Sequence, residues 1–392
     1  MPRPKPSLTA PAAARRGPPG PLSGVRVLDL SAYIAGPYGC TLLADQGAEV
    51  LKVEPPGGDN LRHYPSTLAA ESRAFIGVNR SKRGVVLDLK QAADLAALLR
   101  LVREADVLVH NFRPGVPRRL GIAHDQLEAL NPRLIYCAVT GYGEGGPLKD
   151  KAGYDQVLQT MTGMCTLQGP RGGPPEILYG SVVDYYAAAL VAAGVASALY
   201  EREKSGRGQF VGVSLLRSAL TMQSARLVWA GNEPLDIGRD MRSGGVTGIH
   251  PAREGHLYLS ANTPRFWAAL CRLTGLAELA ADPRYDSVKK RAAAAAEIVP
   301  RLHAALAERT ALEWEALFGD EVPCAAARPV EAMFEHPQVL AEGIVGGFEH
   351  ALIGPYRGVT RSIVFGRTPG PEPFAAPALG QHDGDVRSEP TG

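Results

Sequence analysis

Val25-Arg-Val-Leu-Asp-Leu30, then Gly36-Pro-Tyr-Gly-Cys-Thr-Leu-Leu-Ala-Asp-Gln-Gly47, then Glu49-Val-Leu-Lys-Val-Glu54 follow one another near the start of the chain. The outer two are short apolar, β-branched runs and read as strands; the middle one reads as a helix. Strands separated by a single helix pair in parallel, with a right-handed crossover between them. The pattern repeats outward. Val85–Leu89 reads as a strand, and Gln91–Ala105 as a helix with Leu95, Leu98, Leu99 and Val102 on one face. Asp106–His110 and Leu134–Thr140 read as further strands, and Tyr154–Cys165 and Asp184–Glu203 as helices, the second closed by Gly206. Gln209–Ser214 then predicts a strand and Leu216–Ala230 a long helix. The fold class is α/β: an open, mostly parallel sheet with flanking helices.

After Gly231 the character changes. Glu233–Glu254 is polar and Gly-rich, Leu257–Ala261 is strand-like, and Thr263–Phe318 is mostly helical. Pro323–Pro329 and Phe348–Phe365 return to strand and turn patterning. The expected organisation is a Pro-rich disordered tail over 1–21, a large α/β domain over 22–224, a smaller inserted α+β domain over 225–330, and a return to the large domain over 331–392.

Composition narrows the function classes. The 392 residues carry 42 Lys+Arg and 40 Asp+Glu, a formal net charge of +2, with 45% apolar and 21% charged residues. No charge field marks a nucleic-acid binder or a polybasic membrane protein. No apolar run approaches the roughly 20 residues of a transmembrane helix, so no membrane partner is expected. The five cysteines, Cys40, Cys137, Cys165, Cys271 and Cys324, form no CxxC pair and sit mostly in apolar runs. They read as core thiols in a reducing cytoplasm. In residues 1–21 seven prolines interrupt any secretory apolar segment or amphipathic transit helix.

Motif searches for GxxxxGK[ST], HExxH, GxSxG and HxH fail, which withdraws support from metal and common serine-hydrolase chemistry. Gly141-Tyr-Gly143-Glu-Gly-Gly146 matches GxGxxG after an apolar strand. A dinucleotide site also needs a helix opening at the last glycine, and Pro147–Gly153 reads as a loop. A nicotinamide site is therefore disfavoured.

Several segments in fixed order carry a resemblance. They are Ala35-Gly-Pro37; Ala44-Asp-Gln-Gly-Ala-Glu-Val-Leu-Lys-Val-Glu-Pro55; Gly57-Gly-Asp59; and Asn79-Arg-Ser-Lys-Arg-Gly-Val-Val-Leu-Asp-Leu-Lys90. Asn111-Phe-Arg-Pro-Gly115, Gly141-Tyr-Gly143, Gly153-Tyr-Asp155, Gly206-Arg-Gly-Gln209, His336-Pro-Gln-Val339 and Gly380-Gln-His382 continue the series. From about Pro21 to His382 the chain resembles the class III CoA-transferase family, also called CaiB/BaiF.

The resemblance implies exchange of coenzyme A, as substrate and product and without a metal, between an acyl-CoA and a free acid. The attacking aspartate at the family's position is Asp184, in Gly180-Ser-Val-Val-Asp184. By pattern alone Asp184 is a helix N-cap, where amides and the helix dipole would hold it ionised. The resemblance further assigns Lys90, Arg119 and Asn111 to CoA contacts, Tyr64 to an aromatic lid, and Asp155 to the acyl site. Ile34 stands where oxalate-active relatives carry glutamine, which speaks against formyl and oxalate substrates. Gly244-Gly245 is the candidate glycine loop for oxyanion donors. Arg239 and Arg242 flank Asp240 just before it, and a guanidinium there would bind the second carboxylate of a dicarboxylic acid.

The racemase branch of the family needs a histidine where this chain has Tyr154, and proton exchange at carbon takes two placed bases. Acyl-CoA racemisation or isomerisation and non-catalytic acyl-CoA binding remain the alternative readings. The family's members are interlocked homodimers, so a homodimer is the implied assembly.

Overall fold

A computed structural model describes residues 17–169, 173–233 and 245–387 of the chain. Six strands form one parallel sheet: β1 (Arg26–Asp29), β2 (Glu49–Glu54), β3 (Lys82–Val86), β4 (Val107–His110), β5 (Ile135–Thr140) and β6 (Phe210–Ser214). Their order is β3-β2-β1-β4-β5-β6. The connections carry α1 (Ala35–Asp45), α2 (Arg73–Asn79), α3 (Ala92–Glu104), α4 (Val116–Leu120), α5 (His124–Leu130), α6 (Asp155–Met161) and α7 (Val182–Ser205), and α8 (Leu215–Thr221) follows β6. The strand pleat sends alternate residues to opposite faces. Val27, Val107, Val109, Ile135 and Cys137 pack toward α1 and α7, while Leu28, Leu108, Tyr136 and Ala138 pack toward α3 and α5. Both faces are covered, which is why these strands read as continuous apolar runs.

From β1 the chain works outward one way through β2 and β3, and from β4 the other way through β5 and β6. The strand order therefore reverses between β1 and β4. In open α/β sheets the crevice at that reversal, outside the carboxyl ends of the strands, is where ligands bind.

α7 is 24 residues long and has a window of mean hydropathy 1.6, so by length and composition alone it could cross a membrane. No run of that length is expected from the sequence. Here the helix is packed against α1 and the sheet, with Val183, Ala187, Val191, Val195 and Leu199 in the core. Gly39 of α1 makes that contact close: a Cβ there would meet Val191 Cγ1 at 2.7 Å.

Three elements depart from expectation. β3 starts at Lys82 rather than Val85, because Lys82 is fully buried on an ion partner and the half-buried Arg83 pairs with Asp385. α8 ends at Thr221 instead of running to Ala230; the Ser218 and Thr221 hydroxyls donate back to the carbonyls of Ser214 and Arg217, which competes with helix propagation. α6 stops at Met161, and Gly163 in the left-handed conformation (φ 76°) leads into a separate 3₁₀ turn, Met164–Leu167. No helix follows Gly146 before α6, so the glycine fingerprint lacks the element that would hold a pyrophosphate.

β3 is an edge strand, and the segment around Gly380-Gln-His382 covers it. Gly84 N–H donates to His382 Nδ1 at 3.1 Å, His382 N–H donates to Gly84 O at 3.0 Å, and Val86 N–H donates to Asp383 Oδ1 at 2.7 Å. Those groups would otherwise template another strand.

The chain divides into two compact units, at Asn232/Glu233 and at His336/Pro337. The sequence reading puts these boundaries near residues 225 and 330. The smaller unit holds the antiparallel strands β7 (Gly248–Pro251), β8 (His256–Leu259) and β9 (Cys324–Ala326). Its helices are α9 (Pro264–Leu273), α10 (Ala277–Ala281), α11 (Val288–Ala293), α12 (Ala295–Leu306) and α13 (Ala311–Phe318). Trp267, Tyr285, Trp314 and Phe318 fill its core. α14 (Pro337–Ala341), the hairpin β10 (Val345–His350) and β11 (Gly354–Val359), and α15 (Asp383–Arg387) belong to the larger unit. Of the expected N-terminal tail, residues 1–16 lie outside the described residues. Gly20 is buried, and Leu22 N–H two residues on donates to Gln46 O at 2.8 Å, so the fold begins before residue 22.

Candidate active site

A cavity of about 640 Å³ opens at the carboxyl ends of the strands. Its wall is built from the ends of and turns after β1 (30–35), β2 (53–55, 58–61 and Tyr64), β3 (87–90), β4 (111–114) and β5 (139–141), the segment 149–156, and Leu120, Ser181, Asp184 and Leu215. The position is the one the strand order dictates. Gly141 and Gly153 let two of these wall segments touch: a Cβ on Gly153 would stand 2.7 Å from Gly141 Cα.

Beneath the β1 turn lies a buried ionic frame. Asp29 ends β1 and accepts from Lys82 Nζ at 2.8 Å, while Lys52 Nζ pairs with Asp59 at 3.0 Å and donates to Ser31 O at 2.8 Å. Lys52, Lys82 and Asp29 are each fully buried. Burial alone would raise the Asp29 carboxyl, but the ammonium groups of Lys52 and Lys82 outweigh it and hold it at about 2. Asp59 Oδ1 in turn accepts from the N–H of Tyr33 at 3.0 Å and of Leu61 at 2.9 Å. Tyr33 is thereby fixed in the left-handed region (φ 65°), a costly conformation for a non-glycine residue. Its ring meets Tyr64 and Tyr154 edge-on, at centroid distances of 6.3 and 5.9 Å.

Asp184 occupies the third position of α7 and lines the cavity. The expectation that the helix N-terminus holds it ionised is corrected. The amides of Val183 and Asp184 donate instead to Asp155 Oδ2, at 2.6 and 3.0 Å. Among the described residues the Asp184 carboxylate accepts no hydrogen bond. Burial first, and then the neighbouring Asp155 carboxylate, push Asp184 up to about 7.

The other candidate residues separate into those the cavity gathers and those it does not. Ile34, Tyr64, Lys90, Asn111 and Asp155 line it. Ile34 is the N-cap of α1 and packs on a cluster containing Leu61 and Phe75. Asn111 spends its amide on the scaffold, accepting from Ala32 N–H at 2.9 Å and donating to Ala32 O at 2.7 Å. Asp155 lines the cavity and caps α7, its Oδ2 accepting the amides of Val183 and Asp184. Arg119 does not line the cavity: it is exposed near the end of α4, whose last residue, Leu120, does line it. The basic side chains that do line it are Lys90, Arg113, Lys149 and Lys151. Arg113 was legible in Asn111-Phe-Arg-Pro-Gly115, because that motif begins at the carboxyl end of a central strand. Gly245 belongs to the smaller unit, with φ 72° over Val299 and Ala295, and Arg239, Asp240, Arg242 and Gly244 lie outside the described residues.

A sequence profile of CoA-transferase family III matches residues 22–383. The chain belongs to that family. It is a class III CoA-transferase. An acetyl-CoA:oxalate CoA-transferase of Acetobacter aceti is 36% identical over 84% of this chain and 86% of its own length. A succinate–glutarate CoA-transferase of Agrobacterium fabrum is 33% identical over 94% of this chain and 95% of its own. The crystal structure of a CaiB/BaiF family protein from Brucella suis superposes with a TM-score of 0.82 at 27% identity, covering 94% of this chain and 99% of that one.

For a CoA-transferase the exposed amines and guanidinium on the cavity wall suit a ligand with several phosphates. Lys90→Ala and Arg113→Ala are each expected to raise KM for acyl-CoA by about 5–30-fold, the loss of one charge-assisted contact. kcat should stay within about threefold, since contacts remote from the reacting bond bind ground and transition states alike. Arg119→Ala should leave both constants near wild type. Steady-state kinetics at low and high salt check this, and a KM change confined to Arg119→Ala would reverse the assignment.

Proposed function

We propose that this CoA-transferase moves CoA from an acyl-CoA to a short dicarboxylic acid through covalent intermediates on Asp184. The observation that carries the reading is a carboxylate in the wall of the switch-point cavity that accepts no hydrogen bond among the described residues and is pushed up to about 7. A carboxylate of that basicity is a better nucleophile than an ordinary one and is still largely ionised above neutral pH. Asp184 oxygen attacks the thioester carbonyl, the tetrahedral oxyanion collapses, and the C–S bond breaks to leave an acyl–aspartyl anhydride and CoA thiolate. The thiolate attacks the aspartyl carbonyl, releasing the donor acid and forming an aspartyl-CoA thioester. The incoming acid then runs the same steps in reverse and regenerates Asp184, so each difficult exchange is split into easier ones.

The family's chemistry and the dicarboxylic acids named in two of its relatives support the choice of acceptor. The oxalate relative also returns oxalate to the set of acceptors that Ile34 argued against. Racemisation draws no support from the cavity, whose described lining contains no histidine. We further infer a cytoplasmic homodimer, a reading supported by the family resemblance and by five unpaired thiols.

The test incubates the enzyme with succinyl-CoA or acetyl-CoA and a panel of free acids, and identifies the CoA products by mass. Oxalate, succinate or glutarate is expected to exceed butyrate at least tenfold in kcat/KM. Equal values across the panel would defeat the dicarboxylate assignment.

A further inference from the structure

Ser181-Val-Val-Asp184 has the spacing of a capping box, in which the first side chain accepts from the third helical amide and the last side chain reaches back. The box does not form. Ser181 takes the left-handed conformation (φ 58°, ψ 49°) instead of the extended one an N-cap needs, and its side chain makes no cap bond. Asp155, 2% exposed, takes the amides of Val183 and Asp184 on Oδ2. Its Oδ1 accepts from Gln159 Nε2. Gln159 is itself fixed to Leu178, donating to its carbonyl and accepting from its N–H, each at 2.9 Å. The capping carboxylate is thus braced from the segment that leads into α7.

We propose that Asp155 is a positioning residue for the transfer reaction: by occupying the first amides of α7 it keeps the Asp184 carboxylate free in the cavity instead of folded back as the cap of its own helix. The inference rests on Asp184 being the nucleophile. Two carboxylates compete for one set of donors, because helix N-termini favour anions and offer few amides. The one braced by Gln159 wins. The loser is left half-buried beside a like charge, the setting that makes a carboxylate basic. The other ionisable groups on the cavity wall around Asp184's opening include Lys149, Lys151 and Tyr154 ahead of α6 and Tyr33 after β1, and next to Asp184 on α7 is Tyr185, whose ring meets Tyr38 of α1. α8 presents Leu215 to the cavity, which does not titrate.

Asp155→Asn keeps an oxygen for the amides and removes the charge, whereas Asp155→Ala vacates the cap and lets Ser181 and Asp184 form their box. kcat/KM for acyl-CoA reports the free enzyme's ionisations. With Asp184 at about 7, the wild-type value at pH 6 should be about a tenth of that at pH 8. In Asp155→Asn the ratio should rise to about a half, with kcat at pH 8 within about tenfold of wild type. In Asp155→Ala kcat should fall about 100-fold, with KM within threefold. A purely structural role would leave the pH profile where it is. An acid limb unmoved in Asp155→Asn overturns the proposal, as does a raised KM with unchanged kcat. Should Asp155→Ala fail to fold, Asp155→Asn decides alone. Hydroxylamine labelling of the wild type separates the two claims: label on Asp184 with an unmoved limb defeats only this inference, and label on another acid defeats the nucleophile reading with it.

Discussion

Asp184→Asn is expected to lower kcat for CoA exchange by about four orders of magnitude, the scale seen when a covalent nucleophile is removed. An amide neither attacks a thioester nor forms the anhydride. The fold should not suffer. The Asp184 side chain accepts no hydrogen bond among the described residues, and the cap of α7 is made by Asp155. The sign of the stability change follows from linkage. A carboxyl raised from 3.8 to about 7 by folding disfavours the folded state once it ionises, and the cost is fully present above pH 7. At pH 8 the variant's melting midpoint should therefore equal or exceed that of wild type, and at pH 5 the difference should shrink. An inactive variant that also melts well below wild type at pH 8 would mean that Asp184 is structural.

Asp29→Ala is expected to cost about 3–5 kcal/mol, because it strips the shared counter-ion from two buried ammonium groups. Lys82 Nζ would keep only Pro37 O and Asn79 Oδ1, at 2.6 and 2.8 Å. Lys52 would keep Asp59 and lose its second anion, 4.0 Å away. For a unit of this size the loss corresponds to a midpoint lower by roughly 6–20 °C. Asp29 is held down at about 2, so its contribution is complete above its ordinary value of 3.8 and disappears as the pH falls toward 2. Wild type should lose stability between pH 4 and 2 more steeply than the variant. Calorimetry across that range checks it, and a midpoint drop under 3 °C at pH 7 would contradict the frame's role.

Much of the larger unit could be read directly from local pattern. β1, α1 and β2 announce themselves because each strand is buried on both faces, and α7 because its apolar length ends on Gly206. Lys82 hid the start of β3: a charged residue reads as exposed, and only the distant Asp29 explains its burial. Asp184 could be singled out by resemblance, but its electrostatics could not. The local spacing of Ser181 and Asp184 points to a capping box, and the group that pre-empts it lies 28 residues from Val183 in sequence. Arg119 and Arg113 differ for a similar reason. Both sit in a basic stretch, and only the position of the β4 end selects Arg113 for the cavity.

Trapping the covalent intermediate tests the central claim most directly. Wild-type enzyme mixed with acyl-CoA and quenched with hydroxylamine should carry the adduct on the peptide containing Asp184, with stoichiometry approaching one per chain. Asp184→Asn should carry none. A hydroxylamine adduct on a different carboxylate, or full CoA exchange with no hydroxylamine adduct anywhere on the chain, would contradict the account.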